Sequence, residues 1–198
     1  MKKLILLMSV ILLIGFHFIN AEEYEFKEGE PCDYKTFSFT VGAGARNFSE
    51  TLFKDVYGST GIIYSFDFAA KVWKTVEAFL HTDYLSETGK LTFTGEDTTF
   101  KLIPIELGAR YLLPTKKTCN AKLLLYIGAG AGYYLIKEEN PIGTIDEKKV
   151  GFFGEGGFRF YFAGSLFIDA KLKYTILKSE NDTNLGGLSY MGGIGISF

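Results

Sequence analysis

The stretch Leu166-Phe-Ile-Asp-Ala-Lys-Leu-Lys-Tyr-Thr-Ile176 alternates apolar with polar side chains along most of its length. Leu166, Ile168, Ala170, Leu172, Tyr174 and Ile176 share one face, and Asp169, Lys171, Lys173 and Thr175 share the other. A period of two is the signature of a β-strand whose faces meet different surroundings. In a strand that crosses a bilayer, turning this segment over would place Lys171 and Lys173 toward lipid, at roughly 2 to 4 kcal/mol each near the midplane. The bulky apolar face is therefore the lipid face, and the charged face points inward.

The same pattern recurs along the chain. Segments at 37–46, 62–71, 76–84, 103–113, 122–135, 151–162 and 185–198 alternate in the same way and are separated by polar stretches rich in Gly, Asn, Asp, Pro or Lys. That makes about eight strands, an even number, as an up-and-down membrane barrel requires. Long polar connections near 47–60, 86–98, 137–149 and 178–184 alternate with shorter ones near 72–74, 114–121 and 163–165. Long loops at one rim and tight turns at the other are the corresponding loop pattern, with the long loops external. Pro104 lacks a ladder donor and predicts a bulge or irregularity in the fourth strand.

A soluble barrel has the same period with its apolar side chains inward, so the chemistry of the faces must decide. Gly42, Gly44, Gly128, Gly130 and Gly132 all lie on the polar face. On a solvent surface they would weaken strands without return, whereas in a narrow interior they make room for long side chains from neighbours. Tyr64, Tyr84, Tyr111, Tyr133, Tyr174 and Tyr190 share the apolar parity, where a ring with one polar end suits the headgroup boundary.

Residues 1–21 read as a signal peptide: basic Lys2 and Lys3, an apolar run from Leu4 to Phe18, and a cut after Ala21. The run is shorter than the roughly 20 residues a spanning helix needs. Residues 22–34 form a periplasmic N-terminal segment and 35–198 the barrel domain. Cleavage leaves 19 of the 21 basic side chains against 23 acidic ones, a net charge of −4, and no basic excess points to nucleic acid.

The inward charges are Arg46, Asp67, Lys71, Glu77, Asp83, Glu106, Arg110, Glu155, Arg159, Asp169, Lys171 and Lys173. Both signs are present, and buried charges are tolerated when paired, which predicts an ion-paired lumen bonded between neighbouring strands. No catalytic, cofactor or metal site is predicted. His81 is the one histidine after the cut, without the His-x-Ser arrangement of a lipid A deacylase, and Gly128 to Gly132 lacks the spacing and helix of a nucleotide loop. Cys32 and Cys119, the only cysteines, fall at the same predicted rim and predict a disulfide. Closing so long a loop stabilises by roughly 4 kcal/mol in the chain-entropy account.

The strings IPIELGARYLL (103–113), LLLYIGAGAGYYL (123–135), FFGEGGFRFYF (152–162) and LFIDAKLKYT (166–175), with the signal and the aromatic at Phe198, resemble the small bacterial outer-membrane β-barrels of the OmpA-transmembrane, OmpX and opacity-protein kind. The resemblance implies an all-β, closed antiparallel transmembrane barrel in the bacterial outer membrane. It also implies that Tyr190, Ile194, Ile196 and Phe198 are read by the outer-membrane assembly machinery. The family hosts many functions. The expectation is a monomer, non-enzymatic and without cofactor, surrounded by outer-membrane lipid, with a structural or surface-interaction (adhesin or opacity-like) role toward an unnamed extracellular partner through its loops. A porin-like small channel is the second reading and a lipid-modifying enzyme the third.

Overall fold

The computed structural model describes residues 35–198 apart from 92–94, 114–122 and 178–184. Eight strands follow one another in order: β1 (Phe37–Phe48), β2 (Thr60–Trp73), β3 (Val76–Lys90), β4 (Asp97–Leu113), β5 (Leu123–Asn140), β6 (Gly143–Ala163), β7 (Leu166–Ile176) and β8 (Gly187–Ser197). Each pairs antiparallel with its sequence neighbours, and β8 returns to β1 to close the barrel. At the seam the Phe37 amide donates to the Phe198 carbonyl and the Phe198 amide donates to the Phe37 carbonyl, both at 2.9 Å. Closure removes every sheet edge along the seam, the condition a sheet must meet to sit in hydrocarbon. No helix among the described residues is long and apolar enough to cross a membrane.

The two faces sort as the alternation requires. Ile62, Tyr64, Phe66 and Phe68 of β2 are exposed, while Ile63, Ser65, Asp67 and Ala69 between them are buried. In β7, Ile168, Leu172 and Tyr174 are exposed and Asp169, Lys171 and Lys173 are buried. Exposed apolar side chains thus form a belt around the barrel, with Leu107 at 66 % and Ile194 at 59 % exposure. A water-facing surface does not carry so contiguous an apolar area; a lipid-facing one does.

Several features depart from the sequence expectation. The connection between β1 and β2 contains a short helix, α1 (Thr51–Tyr57). The stretches expected as loops at 86–98 and 137–149 are mostly strand: β3 and β4 run on to the pair Lys90 and Asp97, and β5 and β6 to Asn140 and Gly143. Their polar residues offered no apolar alternation, yet each extension continues the ladder of a strand already held below. The β5–β6 turn is tied by the Asn140 side-chain oxygen, which accepts from the Ile142 and Gly143 amides at 3.0 Å, an Asx turn. At Pro104 the expected irregularity is present as a break in the ladder, without a bulge. The β3–β4 ladder skips Asp83 and Tyr84 and resumes in the same register, while Thr82 Oγ1 donates to the Pro104 carbonyl at 2.7 Å. Register shifts fall instead at Lys71 to Trp73 and Tyr161 to Ala163.

The far rim of the barrel carries α1 and the long hairpins, and the near rim carries Phe37 and Phe198. Inside the barrel toward the far rim, Phe48, Ile63, Leu85, Phe100, Leu102, Ile136, Leu177 and Met191 form an apolar cluster. From α1, Phe53 packs its ring against Phe48 and Phe100 at centroid distances of 4.1 and 4.7 Å, and Tyr57 stacks beside it. Toward the near rim, Leu112, Leu124 and Tyr126 cluster with Tyr161 packed against them.

Candidate functional site

Between these apolar layers lie the charges. At the centre, the Arg110 guanidinium spans two carboxylates: Nη1 donates to Asp67 Oδ1 at 2.8 Å, Nη2 bonds Asp67 Oδ2, and Nε bonds Glu155. Lys171 Nζ adds a bond to Asp67 Oδ2 at 3.1 Å and stands 4.0 Å from Glu155. The guanidinium carbon also lies 3.9 Å from the centroid of the Phe79 ring, so one cation meets both acids and a π face.

Toward the far rim, Lys173 Nζ donates to Asp83 at 2.6 Å and to Glu106 at 2.7 Å, and the Tyr134 hydroxyl donates to the other Glu106 oxygen at 2.6 Å. Toward the near rim, Arg159 Nη1 donates to Glu77 at 2.9 Å and Nε to Asp169 at 3.4 Å, while the Tyr126 hydroxyl donates to Asp169 at 3.0 Å. Three buried sets are thus stacked along the barrel. Truncating one member of such a set leaves its partner charged and uncompensated, which costs about 3 to 5 kcal/mol.

His81 joins the first two sets. Its Nδ1 lies 3.2 Å from Asp67 Oδ2 and 3.3 Å from Lys171 Nζ. Its Nε2 lies 2.8 Å from Asp83 Oδ1, at an angle that makes no hydrogen bond. His81, Asp83 and Glu106 present ligand atoms within 4.8 Å of one another, the kind of trio that holds a metal ion. Lys173 already brings its ammonium against both of those carboxylates, so the trio has a resident cation of its own.

Ten of the twelve predicted lumen charges enter these ion pairs. Arg46 is buried too, but it donates to the Leu185 carbonyl at 3.2 Å, and no carboxylate among the described residues comes within 4.0 Å of it. Lys71 is half-buried and stands opposite Glu77 in the β2–β3 register. The expectation of bonds between adjacent strands needs correcting. Arg159 with Asp169 is an adjacent pair, yet Asp83 of β3 and Glu106 of β4 reach Lys173 of β7, and Glu77 of β3 reaches Arg159 of β6. Long side chains in a narrow interior meet across it, and the inward glycines leave the space. A Cβ on Gly128 would stand 3.0 Å from Arg110 Cγ, and one on Gly132 2.7 Å from Glu106 Cγ.

Tyr126 and Tyr134 join the network without belonging to the charged set, and their inward parity beside the glycines is the sequence signal for it. Among the residues expected to carry an assembly signal, Tyr190, Ile194 and Phe198 are exposed and Ile196 is half-buried, all with outward parity. The predicted Cys32–Cys119 disulfide lies outside the described residues.

The sequence matches the model of the outer membrane protein beta-barrel domain over residues 33–198. A search among curated proteins finds no match. Among solved structures, Neisserial surface protein A superposes with a TM-score of 0.62 at 17 % identity, over 82 % of this chain and 96 % of that one. The outer membrane protein OprG of Pseudomonas aeruginosa does so with a TM-score of 0.62 at 12 % identity, over 85 % and 99 %. The attachment invasion locus protein Ail of Yersinia pestis, in complex with the heparin analogue sucrose octasulfate, gives 0.55 at 16 % identity, over 83 % and 100 %. At such identities these likenesses concern the fold.

Proposed function

Because this chain belongs to the outer membrane protein beta-barrel domain family, we propose that it is a bacterial outer-membrane barrel that acts through its external surface, with a filled lumen and no catalytic role. The observation that carries this reading is the stack of buried ion pairs between two apolar layers. Arg110, Arg159 and Lys173, three of the largest inward side chains, are each no more than 1 % exposed. About eight strands enclose an interior that side chains can fill, so little is left for a solute to occupy. His81, the one histidine among the described residues, is held in that packing by Asp67 and Lys171, not presented to a substrate.

The working surface is then the far rim, where α1 and the extended strand pairs β3–β4 and β5–β6 stand above the apolar belt. Segments 49–59, 86–97 and 137–149 hold nine acidic against five basic side chains. That balance favours a basic partner, such as a cationic protein surface. Single-channel recording in planar bilayers tests the filled lumen: the expected trace is flat, and stable, reproducible conductance steps would establish the porin-like alternative instead. Cells displaying the protein are expected to bind a cationic protein surface more strongly than a sulfated one, and the reverse order would refute the assignment of partner charge.

A further inference from the structure

At the far edge of the belt, three neighbouring strands carry the same residue type at corresponding positions. The last outward apolar side chains there are Ile103 on β4, Leu135 on β5 and Val150 on β6, and the next outward positions are Lys101, Lys137 and Lys148. Lys101 stands directly opposite Lys137 in the β4–β5 register, and Lys148 directly opposite Leu135 in the β5–β6 register. Like charges placed opposite each other on one sheet face repel each other. One outward position farther from the belt, Glu139 holds both ammonium groups, Lys101 at 3.2 Å and Lys137 at 2.6 Å. The lysine stems can lie along the apolar belt while their ammonium ends stay at headgroup depth.

We propose that Lys101, Lys137 and Lys148 form a binding patch for a phosphate monoester on the headgroup of an outer-leaflet lipid. This rests on the outer-membrane reading above. A phosphate monoester carries more than one negative charge and is met by lysine as a point charge, so several ammonium groups converging at headgroup depth suit it. Glu139 presets the spacing of two of them from the side away from the lipid. Asp146, opposite Lys137, tempers the local charge, which limits the patch to one such group and does not make a general polyanion surface.

The test uses the full barrel refolded in a neutral detergent and an acylated disaccharide bisphosphate as probe, with its dephosphorylated form as control. Retention is read by native mass spectrometry, and heat-modifiable migration is scored for every sample. The wild-type protein is expected to retain the phosphorylated lipid in preference, the K101Q/K137Q/K148Q variant to retain about tenfold less, and the matching triple arginine variant to recover it. K137Q alone, which alters a single exposed side chain, is expected to show a smaller loss in the same direction. Equal retention of both lipids by the wild type, or wild-type retention by glutamine variants that migrate as folded barrels, would overturn the patch. A wild-type chain without heat-modifiable migration would instead count against the barrel reading itself.

Discussion

Two glycines on opposite faces of adjacent strands show what single positions ask of this barrel. On the inward face of β1, a Cβ at Gly44 would run into the Tyr190 carbonyl and come within 2.9 Å of Met191 Cα. On the outward face of β8, a Cβ at Gly192 would meet nothing within 4 Å. Gly44→Ala is therefore expected to destabilise the barrel by about 1 to 3 kcal/mol through overpacking against backbone. Gly192→Ala should be close to neutral, and urea titration in lipid vesicles followed by tryptophan fluorescence compares the two. Arg110→Met, which strands Asp67 and Glu155 without their shared guanidinium, is expected to cost about 3 to 5 kcal/mol in the same assay. At this scale the sequence was informative about direction and silent about partners. Parity alone placed Glu77 and Arg110 inward, and they do stand opposite each other in the β3–β4 register. Yet Glu77 bonds Arg159 across the lumen, because side-chain reach and strand tilt set partners and neither is written in the alternation.

Among the elements, strands whose outward face must be apolar were legible, and those beyond the belt were not. Apart from Ile142 and Ile145 the β5–β6 extension is polar on both faces, so no solvent contrast marks it as a strand; pairing inherited from the residues below forms it. Helix α1 is illegible in the sequence for a related reason, being too short for a periodic signal, although Phe53 and Tyr57 lie at helical spacing and pack together. Its attachment is testable by pH. The Tyr57 hydroxyl lies 2.9 Å from Thr98 Oγ1, and burial, with Glu138 nearby, pushes its ionisation up to about 12 while the Thr98 contact lowers it in part. A group whose proton is held more tightly in the folded state contributes fully below its ordinary value near 10 and loses that contribution as pH rises through about 12. The packing of α1 is expected to loosen over that interval, seen as a loss of near-ultraviolet circular dichroism from its aromatic cluster, and Tyr57→Phe should reduce that pH dependence.

For the whole molecule, the seam between β1 and β8 has a kinetic consequence. Most contacts here join strands adjacent in sequence and close only short loops, but the pair Phe37 and Phe198 joins opposite ends of the barrel domain. Searching for that contact carries the largest chain-closure entropy of any pairing in the structure, and a topology completed by its most distant contact folds slowly. Until the seam zips, β1 and β8 are two unsatisfied borders able to accept each other or a foreign strand. The vulnerable period of this protein is therefore its assembly, when it is a curled ribbon in search of its own far margin.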